Sequence, residues 1–368
     1  MLNTAYYIGL MSGTSMDGVD AVLIELTGTQ WKKAIAHTFI PYSATLKQSL
    51  LQLQTPADNE LTNSALLAQQ LAELNAATVQ QLLQQTNLNA QAIQAIGCHG
   101  QTIRHVPEAH YSIQLMDWAL LAELTGITTV GHFRERDLAA GGQGAPLVPA
   151  FHQALFTHSQ QTRILLNLGG IANISILRPH QPAIGFDTGP ANILMDAWVQ
   201  THWQQNYDHQ GLLAARGTIL TTLLKSLLAD PYFTLPYPKS TGRDLFNLNW
   251  LSTHLNGQEN PFDVLRTLLQ LTVQSIIDAI ISTAPETSEV IVCGGGAENN
   301  LLIHILCNVL AQNHISLSQT DTLKLPTQWV EAAAFAWLAA CWYHRQPVDV
   351  HHATGACGAR ILGCGYWV

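Results

Sequence analysis

Charge is scarce in this chain: Asp, Glu, Lys and Arg make up 11% of its 368 residues, and 16 Lys+Arg stand against 25 Asp+Glu. The formal net charge is −9 and no basic stripe occurs, which excludes the electrostatic footprint of a nucleic-acid partner. A local Arg or a set of backbone amides can still hold an anion inside an acidic protein. Cys98, Cys293, Cys307, Cys341, Cys357 and Cys364 include no CxxC pair and no zinc-like spacing, so reduced, mostly buried thiols are expected. There is no GxxxxGK[ST], which excludes P-loop chemistry, and no GxGxxG followed by an acid at the dinucleotide spacing. No apolar run approaches the ~18–20 residues of a membrane helix. The opening MLNTAYYIGLMSG carries no basic segment ahead of an apolar one, so a cytoplasmic protein without a membrane partner is expected.

What is abundant is apolar material: 47% of the chain, enough for a large core, in a length that favours two lobes. The two halves begin alike. Tyr6 to Leu10 and Val19 to Leu26 are short apolar runs around a small, turn-rich segment, the pattern of a β-hairpin. From Arg163 the plan recurs: Ile164-Leu165-Leu166 leads into Asn167-Leu168-Gly169-Gly170, and Ile171 to Leu177 leads out. Helical spacing is predicted over Asn63 to Gln85, Pro146 to Phe156, Ala191 to Gln204, Thr218 to Leu228, Pro261 to Ser282 and Val330 to Tyr343. Strands are predicted at Ile93 to His99, Ile127 to Gly131 and Glu289 to Cys293, and an ordered loop over the Pro- and Gly-rich Leu235 to Gly242.

Three glycine loops carry the sharpest local signals. Gly13-Thr14-Ser15-Met16-Asp17-Gly18 joins the first hairpin; its glycines let main chain approach an anion and its hydroxyls can donate to phosphate oxygens. Asp17 and Asp20 would repel a phosphate unless a Mg²⁺ lay between them. The plainer reading is a polar hairpin turn. Asn167 to Asn173 is the second loop, and a tight turn is its plainer reading too. Gly294-Gly295-Gly296-Ala297-Glu298-Asn299 follows a buried-type strand and precedes a predicted helix, the place where nucleotides sit in open α/β sheets. Three such loops, two of them opening successive halves, fit a duplicated nucleotide cleft better than unrelated turns.

Among the acids, Asp187 in Gly185-Phe186-Asp187-Thr188-Gly189-Pro190 precedes a predicted helix. Either Asp187 or Thr188 is the cap of that helix, or Asp187 is a general base. Asp196 is expected to be structural. Arg134, in a charged and then glycine-rich segment, is a phosphate or substrate contact or an ion-pair partner within its own loop. Gly97-Cys98-His99-Gly100-Gln101-Thr102 ends a strand with polar groups suited to a sugar; Cys98 and His99 point to opposite faces, which disfavours thiol catalysis. His351 and His352 have no carboxylate at ligand spacing and read as surface histidines.

Taken together, the segment from Ile8 to Asp20 closely resembles the opening signature of the anhydro-N-acetylmuramic acid kinases. GCHGQTIRH from Gly97, NLGGIANIS from Asn167, GFDTGPAN from Gly185, PKSTGRDLFN from Pro238, CGGGAENN from Cys293 and VEAAAFAWLA from Val330 follow in order, so the resemblance spans nearly the whole chain. It implies an α/β, two-lobed fold of the sugar kinase and actin-like ATPase type, built of duplicated ribonuclease H-like domains around an interlobe cleft. The lobes are expected at residues 1–145 and 146–368. It also implies an ATP- and Mg²⁺-dependent opening of 1,6-anhydro-N-acetylmuramic acid to N-acetylmuramic acid 6-phosphate, in recycling of cell-wall peptidoglycan. Asp187 matches the catalytic aspartate. Gly13, Thr14, Ser15, Met16, Asp17, Gly18, Val19 and Asp20 match the ATP-binding segment, joined by Asn167, Gly169, Gly170, Gly294, Gly295, Gly296 and Asn299. Arg134, Glu331, His99, Gln101 and Thr102 are the expected sugar contacts, Asp17 and Asp20 the carboxylates nearest Mg²⁺, and a homodimer the assembly to test. Ala191, where the family more usually has Gly, and Asp208 to Gly211, where a more charged run is common, depart from the pattern. An actin-like ATPase without sugar transfer, a sugar hydrolase needing two carboxylates and no ATP, and a nicotinamide enzyme are the rivals.

Overall fold

The computed structural model describes residues 4–13, 16–237, 239–243 and 245–368. In chain order the described elements are β1 (Thr4–Ser12), β2 (Gly18–Thr27), β3 (Gln30–Pro41), α1 (Ala44–Gln52), α2 (Glu60–Thr86), β4 (Ile93–Val106), β5 (Tyr111–Leu115), α3 (Trp118–Thr125), β6 (Thr129–Gly131), α4 (Phe133–Leu138) and α5 (Val148–Phe156). They continue with β7 (Thr162–Leu168), β8 (Ile171–Leu177), β9 (Ile184–Pro190), α6 (Asn192–Trp203), α7 (Thr221–Leu228), α8 (Leu248–Ser252) and α9 (Pro261–Thr283). The last are β10 (Thr287–Cys293), α10 (Asn300–Gln312), β11 (Ser316–Gln319), α11 (Val330–Tyr343), α12 (His351–Thr354) and β12 (Cys364–Tyr366).

Both expected hairpins form, and each gains a third antiparallel strand, giving meanders β1-β2-β3 and β7-β8-β9. β4 then pairs parallel with β1, and β6 parallel with β4; likewise β10 pairs parallel with β7, and β11 with β10. Counted from its own first strand, each sheet therefore reads 3-2-1-4-5, with β12 and β5 added to the first. This is the duplicated ribonuclease H-like architecture that the resemblance implied.

The chain falls into two compact units, the first comprising Met1–Leu155, Leu323–Leu325 and Trp329–Val368, the second Phe156–Thr322 and Pro326–Gln328. The sequence reading kept 146–368 together, whereas here Trp329–Val368 groups with the first unit. The reason lies in small residues: a Cβ on Gly9 would collide with the Ala332 carbonyl, and one on Gly97 with the Phe335 carbonyl. Those glycines let α11, the segment VEAAAFAWLA, lie directly on β1 and β4. β12 completes the return by pairing with β6.

Each unit has its own core. In the first, Ile8, Leu10, Leu23, Leu71, Val79 and Ile96 are buried together; in the second, Leu166, Ile174, Leu268, Ile276, Val290 and Leu306. Contrary to the sequence reading, among the described residues one helix, α9, is long and apolar enough to cross a membrane. Val264, Leu265, Leu268, Leu269, Leu271, Ile276 and Ile280 are buried in the second core, so its apolar length is that of a core helix.

Candidate active site

In the first unit the glycine loop leaves β1 at Ser12 and re-enters the sheet at Gly18. Thr14 and Ser15, two of the expected phosphate contacts, lie outside the described residues. Met16 turns the chain back with φ 53° and its N–H donates to the Gly13 carbonyl at 3.2 Å, while its side chain is fully buried. Gln101, itself fully buried, braces the same turn: its amide donates to the Gly13 carbonyl at 3.2 Å and accepts from the Tyr42 hydroxyl at 3.1 Å. The amide expected to face sugar is thus engaged in holding the loop. Thr102 accepts from the Gln114 amide at 3.2 Å.

The acids of this loop are paired as well. Exposed Asp17 meets Lys47 at 2.8 Å, and Asp20 meets His37 Nε2 at 2.8 Å. The His37 ring is stacked on Trp329 at 5.3 Å, two residues before Glu331. Arg134 sits on the short helix α4 rather than in a loop, and its Nε donates to His99 Nε2 at 3.0 Å. Burial, with the Arg134 charge adding, holds the His99 imidazole neutral, well below the usual range. With Nε2 accepting, the proton of the neutral ring resides on Nδ1. Glu331, open to solvent but ringed by protein, has its carboxyl pushed up by that ring and by Asp20, against the pull of Arg134. Four separate segments thereby bring Asp20, His99, Arg134 and Glu331 into one polar cluster. Cys98 is excluded as a nucleophile: burial pushes its thiol up to about 12.

Behind Arg134, the glycine-rich segment 139–146 is fixed by Asp137, which is fully buried and accepts from the Gly144 N–H at 2.7 Å and the Thr354 hydroxyl at 2.8 Å. A Cβ at Gly142 would collide with that carboxylate. This clamp, invisible in the local sequence, ties the segment to α12. His351 and His352 lie on α12, and among the described residues no group of three potential metal ligands occurs.

In the second unit the polar groups fall on one row of the sheet. Cys293 registers with Asn167, Asn167 with Asn173, and Asn173 with Asp187. Residues directly opposite share a face, so Asn167, Asn173 and Asp187 present their side chains to the same side. Gly294, with φ 83°, lies so close that a Cβ would strike the Asn167 amide oxygen; a Cβ at Gly296 would strike Leu168. The second and third glycine loops are therefore neighbours. The Gly169 and Gly170 carbonyls accept from the N–H groups of Ala191, Asn192 and Ile193, closing the start of α6. Ala297 opens no α-helix: Gly295–Glu298 is a single tight turn, and Asn299 caps α10 by accepting from Leu302 N–H at 3.1 Å.

Asp187 lies inside β9 and is not a helix cap; the cap of α6 is Ala191, which makes no side-chain bond. The half-buried carboxylate accepts one hydrogen bond, from Thr241 N–H to Oδ2 at 2.9 Å, and burial against that bond pushes it up to about 6. Its main chain is gripped on both sides: its N–H donates to the Lys239 carbonyl at 3.0 Å and its carbonyl accepts from the Tyr232 hydroxyl at 2.7 Å. Lys239 in turn donates to the Tyr232 and Phe233 carbonyls and sits 4.6 Å above the Tyr232 ring. Sequence reasoning missed Tyr232, Lys239 and Thr241 as partners of Asp187, although PKSTGRDLFN was among the segments carrying the resemblance. Asp196 on α6 is pushed up to about 7 by burial, with Asp208 adding and Arg243 opposing.

A profile of the family described as anhydro-N-acetylmuramic acid kinase matches residues 5–368. The chain is 56% identical over 366 residues to a protein of that name from Neisseria meningitidis serogroup C, covering all of both chains. Proteins of the same name from Nitrosomonas europaea and Bordetella petrii are 49% and 50% identical, with 98% of this chain covered in each case and 99% and 96% of theirs.

Proposed function

The chain belongs to the anhydro-N-acetylmuramic acid kinase family, and from that premise we propose that Asp187 is the general base of its reaction. The protein is a phosphotransferase with an alcohol-type acceptor: it uses ATP to convert 1,6-anhydro-N-acetylmuramic acid to N-acetylmuramic acid 6-phosphate. Water adds to C1 and gives its proton to the Asp187 carboxylate. The C1–O6 bond breaks, and O6 takes the γ-phosphoryl group while ADP leaves. Phosphorylation of the departing oxygen replaces the protonation that an inverting glycosidase obtains from a second carboxylic acid. One carboxylate is then sufficient.

The observation that carries this role is the state of Asp187: desolvated, held by a single N–H on Oδ2, with Oδ1 free of protein partners among the described residues. A carboxylate near 6 is still ionised at neutral pH yet is a stronger base than an ordinary aspartate. Arg134 and Glu331 serve the sugar, with His99 positioning Arg134. The loop from Gly13 to Asp20, the Asn167 to Gly170 turn and Gly294 to Gly296 serve the phosphates; Gln101 reaches them by bracing Gly13, and Asn299 by capping α10. Asp17 and Asp20, already paired with Lys47 and His37, suit a Mg²⁺ that arrives on the nucleotide better than one held in an all-protein cage. That ion supplies charge neutralisation on the phosphates. A cytoplasmic site, where ATP is available, and homodimeric assembly without nucleic acid or membrane complete the reading; fractionation and sedimentation test them.

Turnover in ¹⁸O-labelled water tests the chemistry. Label at the C1 hydroxyl of the product, with none in the phosphate, is expected; label in released inorganic phosphate would instead mark an ATPase without sugar transfer.

A further inference from the structure

We propose that the Thr241 hydroxyl is a second contact of the water activated by Asp187, orienting it for attack. The inference rests on the assignment of Asp187 as base and extends it to a residue from a distant loop. Thr241 Oγ1 is shielded from solvent and has no hydrogen-bond partner among the described residues. Such an orphan hydroxyl is a cost to the fold, since an apolar group of the same shape would sit there without one. It stands beside the reactive carboxylate, because the Thr241 N–H is the donor that holds Asp187 Oδ2 at 2.9 Å. Covalent geometry keeps Oγ1 within about 7 Å of Oδ2, and the Thr241 rotamers that bring the two oxygens within about 5.6 Å let one water bridge them.

Its place is fixed by main-chain bonds, not by its own side chain. The Asp187 N–H to the Lys239 carbonyl, the Tyr232 hydroxyl to the Asp187 carbonyl and Lys239 to the Tyr232 and Phe233 carbonyls anchor the loop on either side of the strand. The chemistry asks for such a group. A water attacking carbon directs one lone pair at C1 and passes one proton to the base. Its other O–H then needs an acceptor that leaves the lone pair aimed at the sugar. Asp187 Oδ1 takes the first proton, and Thr241 Oγ accepts the second O–H without removing its proton. Oδ2, engaged by the backbone, is kept out of competition.

The test compares Thr241→Val, Thr241→Ser and Asp187→Asn for ADP release at saturating ATP and sugar, with thermal melting of each. Valine keeps the backbone N–H and the shape but removes the hydroxyl. Thr241→Val should lose about 10-fold in kcat, the upper scale of one neutral hydrogen bond, with KM for ATP unchanged and melting equal to or above wild type. Thr241→Ser should recover most of the rate, a rescue that a packing role would not give. If valine disturbs the fold, Thr241→Ala takes its place in the comparison. A hydroxyl-free variant that turns over at the wild-type rate while Asp187→Asn is inactive overturns this inference and leaves the base assignment standing. Wild-type turnover by Asp187→Asn overturns the base assignment itself.

Discussion

The two sheets share one strand order but treat their polar groups differently. In the first unit nearly every candidate is already engaged: Asp17 with Lys47, Asp20 with His37, His99 with Arg134, Gln101 with Gly13 and Tyr42. In the second, among the described residues Asp187 keeps one oxygen without a protein partner, its pKa is raised by burial, and the hydroxyl beside it has none either. On the proposed reading, a duplicated scaffold is divided into a half that holds and a half that reacts. Engaged groups are rigid and suited to binding; under-satisfied, desolvated ones are costly to the fold and available for chemistry.

The largest effect that would break this contrast is at the reacting half. Asp187→Asn should lower kcat by ~10²–10⁴-fold, as loss of a general base does, while ATP binding measured by calorimetry stays intact. The same change should stabilise the fold. The folded carboxyl titrates near 6 against an ordinary value of 3.8, so the fold favours the protonated form. That contribution is complete below 3.8 and lost as pH rises through about 6, so at pH 7 the ionised group costs up to ~3 kcal/mol, which Asn avoids. More stable and nearly inactive is the signature expected; unchanged stability would place the cost elsewhere.

In the holding half the sign reverses. Asp137→Ala leaves the Gly144 N–H unpaired in a buried site and takes one acceptor from the Thr354 hydroxyl, which keeps the Val350 carbonyl; unfolding by denaturant should show a loss of ~1–3 kcal/mol. Arg134→Ala removes a charged contact and should raise KM for the sugar by ~10–10²-fold, with the rate at saturation far less affected. Smallest is Gln101→Met, which removes the brace on Gly13. KM for ATP should rise a few-fold, on the scale of one or two neutral hydrogen bonds, with kcat preserved.

How much of this was legible in the sequence follows from the range of the forces involved. The hairpins at Tyr6–Leu26 and Ile164–Leu177 were legible because apolar runs around small turn residues are a local signal. β3 was not, since Gln30 to Pro41 carries Lys32, Lys33 and His37 on a half-exposed strand and lacks a clean alternation. Asp187 stood out in the sequence as cap or base, and the cap role falls because β9 runs through Pro190, with α6 beginning at Asn192. Its partners Tyr232, Lys239 and Thr241 lie tens of residues away, and Thr354 lies 217 residues from Asp137, so no spacing rule connects them. Gln101 shows the opposite failure: a polar residue in a sugar-like motif whose amide braces a turn. The return of α11 to the first unit depends on Gly9 and Gly97 meeting its backbone, a fit that only the packed molecule reveals.

The contrast between the halves is tested most directly by the pH dependence of kcat, measured for wild type and for Asp196→Asn. Asp196 is the control because burial raises it too, to about 7. Asp187 must be ionised to accept a proton, so kcat at saturating substrates should fall about tenfold per pH unit below about 6, and Asp196→Asn should keep that limb in place. A kcat that stays level on both sides of pH 6, or a limb that vanishes with Asp196, would contradict the assignment of Asp187 as the base.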